Sequence, residues 1–271
     1  FYLDKNYQYK KVAISIFFFI FFIVGLFIYD DYGISLDEEF HRWGGFYWLS
    51  HILQYFPDNQ FTEKVDLILS KSGGMAISDY TVYQFYPVIF DLPLAFIELY
   101  FDIQDSKDYF LLRHLSTFFI FYISCIFFYK IILFRFNDWR YALIGTISLI
   151  FSPRIFANSF YNNKDIVFLS LFIIAIYFAL RFLKKIDYVN SFNFAFFTGL
   201  CTCQRYMGTS IFIMIMVFFV FSSISKPNGN FKFILLTALL YIFTVILFWP
   251  YLWSDPINNF IYAFNAYPKA D

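Results

Sequence analysis

The segment Asp30-Asp31-Tyr32-Gly33-Ile34-Ser35-Leu36-Asp37-Glu38-Glu39-Phe40-His41 concentrates carboxylates directly after a long apolar run. A carboxylate beside low-dielectric lipid has its ionised form disfavoured by desolvation, which is the tuning a general base needs near neutral pH. The same residues also read as a solvated loop that ends a helix. A second cluster, Ser152-Pro153-Arg154-Ile155-Phe156-Ala157-Asn158-Ser159-Phe160-Tyr161-Asn162-Asn163-Lys164-Asp165, offers Arg154 and Lys164 as paired cations. Phosphate or pyrophosphate suits such a pair, with Arg donating in a fork and Lys acting as a point charge. Asn158, Asn162 and Asn163 add neutral hydrogen bonds, and Asp165 is placed to orient Lys164 or to cap a helix beginning at Ile166. Snorkelling toward the interface is the alternative role for the two cations.

Arg205, in Gln204-Arg205-Tyr206-Met207-Gly208, is nearly enclosed by apolar sequence. A charge at membrane depth is costly, so this one is expected to pair with a carboxylate or a ligand phosphate. Trp249-Pro250-Tyr251-Leu252-Trp253-Ser254-Asp255-Pro256 reads as an aromatic belt. His41 follows Asp37 by one helical turn, but no third metal ligand is evident, and His51 and His114 have no obvious partners. No metal site is assigned, and a divalent cation stays open. The sequence contains no phosphate-binding Gly-rich loop, nucleophile elbow, His-Glu-x-x-His or Cys-x-x-Cys. Cys125, Cys201 and Cys203 lie in or beside apolar runs and are expected to be buried thiols.

The elements that must carry these clusters are membrane helices. The chain is 60% hydrophobic and 15% charged, with mean hydropathy +0.59, too apolar for a solvated surface. Its net charge is zero, which argues against a nucleic-acid partner. Val12 to Tyr29 is long enough to cross about 30 Å of hydrocarbon and follows Lys5, Lys10 and Lys11, so it reads as a retained first crossing with a cytoplasmic start. Further runs are Leu115–Phe134, Tyr141–Phe151, Ile166–Leu183, Phe192–Cys203, Thr209–Ile224 and Phe233–Tyr251, giving about seven crossings, two of them short.

That threading places Lys130, Arg135, Arg140, Arg181, Lys184, Lys185, Lys226 and Lys232 in cytoplasmic turns, as the positive-inside rule requires. The expectation is an all-α polytopic bundle forming one domain over 1–271. Its first crossing is 12–29, a long extracytoplasmic loop occupies 30–114, the other crossings fall within 115–251, and a further outer loop starts at 252–271. A loop as long as 30–114 must be structured. Phe40–Phe56 suits a helix lying in the headgroup region, and Phe85–Phe101, interrupted by Pro87, Asp91, Pro93 and Glu98, suits interfacial or re-entrant placement. Because it starts at Phe1 and stops after a loop-like segment, the chain is expected to be a fragment with further C-terminal helices.

In order and spacing, Gly33-Ile34-Ser35-Leu36-Asp37-Glu38, Ser152-Pro153-Arg154 through Asn163-Lys164-Asp165, and Arg205-Tyr206-Met207-Gly208 resemble the GT-C superfamily. The likeness is to its dolichyl-phosphate-mannose protein mannosyltransferase-like family and covers the whole chain. It departs at Leu36, where many relatives have Trp, and at Glu39. The resemblance implies a glycosyltransferase that takes a sugar from a polyprenyl-phosphate donor to a protein, lipid or glycan acceptor, with inversion. It implies Asp37 as base, Glu38 as its orienting neighbour, and Arg154, Lys164, Asp165, Arg205 and Asn158 around the lipid phosphate. The site would face the extracytoplasmic side of a bacterial plasma or inner membrane, or of the endoplasmic reticulum in a eukaryote. A transporter or channel, and a non-catalytic membrane scaffold, are the alternatives.

Overall fold

The structure, a computed structural model, describes residues 5–56, 60–70, 89–224 and 231–266. Every regular element among them is helical. In chain order these are α1 (Lys5–Ile28), α2 (Leu36–Leu53), α3 (Gln60–Ser70), α4 (Asp91–Tyr100), α5 (Ser106–Phe136), α6 (Trp139–Ile150), α7 (Pro153–Tyr161), α8 (Asp165–Lys184), α9 (Tyr188–Gln204), α10 (Thr209–Ile224), α11 (Phe231–Phe248) and α12 (Pro256–Ala266).

Four helical stretches are long and apolar enough to cross a membrane: Gln8–Ile28 within α1, and the whole of α5, α8 and α11. A fifth span arises if α6 and α7, bent by 66° at the break between them, act as one. α9 and α10, with 17 and 16 residues, fall short of the roughly 20 residues that a full crossing takes. The expected seven apolar runs are therefore all helical, but four have full spanning length on their own.

The outer surfaces of these helices are apolar. α1 exposes Phe19, Ile20, Val24 and Phe27, α10 exposes Ile213, Met214, Phe218 and Phe221, and α11 exposes Leu235, Leu239, Ile242 and Phe243. Water does not tolerate apolar surface on that scale, whereas lipid does. Inside, aromatic side chains interlock the helices. Phe21 of α1 meets Phe118 of α5 edge-on at 5.5 Å, and Phe182 of α8 stacks on Phe194 of α9 at 5.3 Å. The polar residues of the short α9 are covered by neighbours: Thr202 Oγ1 donates to the Thr198 carbonyl at 3.0 Å and lies 2.9 Å from the Tyr241 hydroxyl of α11.

Three features of this organisation matter for the site. The Ser152–Asp165 connection contains the helix α7, since Ser152 precedes a Pro at the first helical position, where its fixed φ and missing N–H are harmless. The segment after Leu252 contains α12 where an outer loop was expected. Within 30–114, α2 buries Trp43, Phe46, Trp48 and Leu49 and so packs as a wall of the bundle. The part of Phe85–Phe101 beyond Val88 includes α4, whose ten residues are too short to cross; residues 85–88 lie outside the described residues.

α2 and α4 approach so closely that a Cβ on Gly45 would sit 2.5 Å from the Asp91 carbonyl oxygen. Gly45→Ala must push the two backbones apart, and we expect it to destabilise the protein by about 1–3 kcal/mol. Its melting temperature in detergent should fall accordingly; an unchanged value would mean that the helices do not pack at this distance.

Candidate functional site

α2 begins with Ser35 in extended conformation, and its first turn carries Asp37, Glu38 and Glu39, the charge sign that the helix N-terminus favours. The Ser35 backbone N–H donates to Glu38 Oε1 at 3.0 Å. The other oxygen, Oε2, lies 3.0 Å from His114 Nε2 of α5. Glu38 is buried and committed to these partners. Asp37, its neighbour, is exposed and has no hydrogen bond or ion pair among the described residues. Of the acidic pair, Asp37 is the one free to take a proton.

The turn between α1 and α2 docks on the end of α7. Tyr32 stacks on Phe160 at 4.6 Å, and Ser35 Oγ donates to the Tyr161 carbonyl at 3.5 Å. This brings the acidic start of α2 to the α7–α8 connection. There the asparagines build a local framework. Asn162 accepts from the Asp165 N–H at 2.8 Å and donates to Asp165 Oδ2 at 3.1 Å and to Asn158 Oδ1 at 3.3 Å. Asn158 in turn donates to the Arg154 carbonyl at 2.7 Å. Asp165 takes the guanidinium of Arg205 as an ion pair, so Arg205 meets a carboxylate, one of its two expected partners.

The turn after Arg205 is held tightly. Gly208 N–H donates to the Arg205 carbonyl at 2.8 Å, and a Cβ on Gly208 would lie 2.6 Å from backbone atoms of Cys201 and Thr202. Only glycine lets the turn fold back onto α9 this closely. Gln204 fixes the neighbouring connection by donating to the carbonyls of Asn163 and Lys164, at 3.4 Å each.

His41, one turn beyond Asp37, ties α2 to these cations. Burial foremost, then the charges of Lys164 and Arg205, lowers its pKa from 6.5 to about 3, with Asp165 opposing. His41 Nδ1 faces Asp91 Oδ2 of α4 at 4.0 Å, and Asn163 donates to Asp91 Oδ1 at 2.9 Å. Burial pushes the Asp91 carboxyl up from 3.8 to about 7, helped by Glu38 and opposed by Arg113 and the Asn163 hydrogen bond. Around pH 5 both members are therefore neutral, and the 4.0 Å approach is not a salt bridge.

Linkage makes this pair testable. Folded Asp91 holds a proton that the unfolded chain has released, so its contribution is present below about pH 4 and is lost as pH rises to about 7. Folded His41 lacks a proton that the unfolded chain binds, so its contribution is present above 6.5 and is lost as pH falls toward 3. Between about pH 4 and 6.5 the two slopes oppose each other. Relative to wild type, Asp91→Asn should lose stability as pH falls through that window, whereas His41→Gln should lose it as pH rises. Parallel unfolding curves for wild type and Asp91→Asn from pH 4 to 6.5 would contradict the assignment.

Sequence reading missed the layer beneath. Glu98 of α4 accepts from Arg42 Nε at 2.9 Å, from Arg42 Nη2, and from Arg113 Nη1 at 2.9 Å. All three side chains are buried, and the Arg42 guanidinium also lies 3.8 Å from the centre of the Tyr109 ring. The available signal was the seven-residue spacing of Asp91 and Glu98, which puts both on one face of a short apolar helix. His114, which showed no partner in the sequence, has two contacts: Glu38, and the Tyr29 carbonyl at 3.4 Å.

The structure thus gathers Glu38, His41, Lys164, Asp165 and Arg205 at one corner, with Asp37 on its exposed edge. Asn158 joins through Asn162. Arg154 stands at the opposite end of α7 from Tyr161, about 10 Å along the axis at 1.5 Å per residue. It is exposed, with no ion pair among the described residues. No group of three or more His, Cys, Asp or Glu among the described residues is arranged to hold a metal. Beyond the Arg205 turn, Thr209, Phe212, Tyr241, Val245, Phe260 and Ile261 help line an apolar groove of about 440 Å³ between α10, α11 and α12. The basic residues Lys130, Arg181, Lys184 and Lys232 lie toward the other ends of the long helices.

No protein family, curated protein or solved structure matches this chain.

Proposed function

We propose that this chain is a membrane glycosyltransferase that moves a sugar from a polyprenyl-phosphate donor to an acceptor hydroxyl, with inversion at the anomeric carbon. One observation carries the reading. An unpaired carboxylate, Asp37, sits one turn from His41, and His41 faces Asp91 together with Asn163, the chain neighbour of Lys164, so base and cation come from one corner of the bundle. Asp37 accepts the acceptor's proton as its oxygen attacks the anomeric carbon. The bond from that carbon to the phosphate oxygen breaks, and its electron pair leaves with the polyprenyl phosphate. Lys164 receives the growing negative charge, Arg205, already balanced by Asp165, positions the turn, and Arg154, at the far end of α7, stands outside this contact. Electrostatic stabilisation of this anion by preorganised cations is the main source of rate.

The apolar groove that begins at Thr209, four residues past Arg205, suits an isoprenoid chain. The cationic ends of α5 and α8 favour the cytoplasm, which puts Asp37 on the extracytoplasmic side. That arrangement has α9 and α10 complete their crossings with help from flanking residues, for seven in all. The membrane is the plasma or inner membrane in a bacterium and the endoplasmic reticulum in a eukaryote. The acceptor is a protein, lipid or glycan hydroxyl at that surface.

The test is to incubate the purified full-length protein in lipid with a panel of polyprenyl-phosphate sugars and to quantify released polyprenyl phosphate. Release with one donor supports the transferase. No release with any donor, with acceptors of all three classes supplied, would leave the transporter and scaffold readings standing in its place.

A further inference from the structure

The end of the bundle remote from Asp37 has a second built feature. α5 and α8 lie side by side there, with Phe127 edge-on to Tyr177 at 5.1 Å. Next to this contact a groove of about 990 Å³ is lined by Lys130, Arg181, Lys184 and Lys185 together with Leu133 and Phe134. Its size is at the upper end of what small-molecule sites reach.

The charge in this groove is unbalanced. Lys185 pairs with Asp187 at 3.0 Å, and Asp187 also accepts the Asn190 N–H at 2.9 Å, capping α9. Lys130, Arg181 and Lys184 have no ion pair among the described residues. Two of them rest on rings instead: Lys130 Nζ lies 4.8 Å from the Phe127 centroid, and Lys184 Nζ lies 5.0 Å from that of Phe134. Aromatic faces position the ammonium groups without neutralising them. The last turns of α5 and α8 add exposed carbonyls, which attract cations but leave the net charge of the groove positive.

The second half of the argument is the wall. Phe134 is 43% exposed and stands beside the cations, on helices that are apolar enough to span a membrane. A free anion would use the cations and ignore this wall. A molecule with an anionic head and acyl chains uses both.

We propose that this groove binds the headgroup of an anionic phospholipid. The phosphate lies among Lys130, Arg181 and Lys184, and the acyl chains run along Leu133 and Phe134. The proposal rests on the spanning helices and this groove, and it holds whether or not the far end transfers sugar.

The experiment measures lipid bound to the intact purified protein by native mass spectrometry, in mixtures of phosphatidylglycerol and phosphatidylcholine, with inorganic phosphate as a competing arm. Wild type should retain phosphatidylglycerol selectively, and R181Q/K184Q should lose that selectivity on the order of tenfold, since each basic residue near an anionic headgroup contributes several-fold. Lys232→Gln, which removes a cation at the same end that rests on Tyr188 and Phe233, should leave selectivity unchanged. Equal selectivity in wild type and R181Q/K184Q would overturn the proposal, as would displacement of phosphatidylglycerol by millimolar inorganic phosphate. If the double variant melts lower than wild type in phosphatidylcholine alone, Lys130→Gln, an exposed change on α5, serves for the same comparison.

Discussion

Asp37→Asn should bind the polyprenyl-phosphate donor like wild type and turn over roughly 10²–10⁴-fold more slowly, the usual contribution of a positioned general base. The amide is nearly isosteric and cannot accept the acceptor's proton. In the proposed mechanism the donor phosphate is held by Lys164 of the α7–α8 connection, and Asp37, which has no ion pair among the described residues, does not set its position. Because Asp37 is exposed and makes no hydrogen bond or ion pair among the described residues, the variant should fold normally, within about 0.5 kcal/mol of wild type. Donor binding, turnover and melting temperature measured together separate the chemistry from the fold. Near-normal turnover would remove Asp37 as the base, and loss of donor binding would make it a substrate ligand. Glu38→Gln would be a poor substitute for this test, because it disturbs the start of α2 and the contact with His114, and its effect would mix stability with catalysis.

Glu98→Gln should be the most destabilising single change predicted here, at about 3–5 kcal/mol. The glutamate is the shared acceptor for Arg42 and Arg113, and all three side chains are buried. Neutralising it leaves two guanidinium groups facing each other in a medium that solvates neither. Arg113 already has Nε and Nη2 without hydrogen-bond partners, and without Glu98 its Nη1 would keep only the neutral Tyr109 carbonyl at 2.9 Å. Denaturation in detergent, or the folded fraction by size exclusion, reads the loss. Arg113→Met on the Glu98→Gln background should return part of it, because one of the two stranded charges goes with it, and the two changes should couple by about 0.5–3 kcal/mol. A Glu98→Gln protein within 1 kcal/mol of wild type would mean that the buried triad is not formed.

The two predictions concern different layers of one end of the bundle. α4 and the start of α5 provide the buried ionic layer, Glu98 and Arg113, together with Asp91 and His114. α2 lies across this layer, held by Arg42 to Glu98 and by Glu38 to His114, and it presents Asp37 at its free edge. The catalytic proposal therefore depends on the stability network: a bundle that loses Glu98 should also lose the placement of Asp37.

Much of this was legible in the residues themselves. The apolar runs, the absence of strands among the described residues and the separation of acidic from basic ends follow from composition along the chain. Spanning lipid requires a continuous apolar helix, and each residue contributes to that locally and additively. The clusters around Asp37, Lys164 and Arg205 could be picked out because charges bordering apolar sequence are few and costly. The helix α7 was legible too in its Ser-Pro start and Asn end, although the polar character of the segment made it read as a loop. The division of labour within Asp37-Glu38 was not legible, since both are acids at the start of one helix. Only the packing of α5 against α2 brought His114 to Glu38, across 76 positions of sequence, and left Asp37 open. In the same way, Asp91 and Glu98 were unremarkable carboxylates of a long loop until α4 was pressed under α2, where Gly45 allows the close approach. Hydropathy is a sum over neighbours in the chain and can be read there. The partner of a buried charge is whatever the folded helices bring within about 3 Å, a property of their packing that no local window contains.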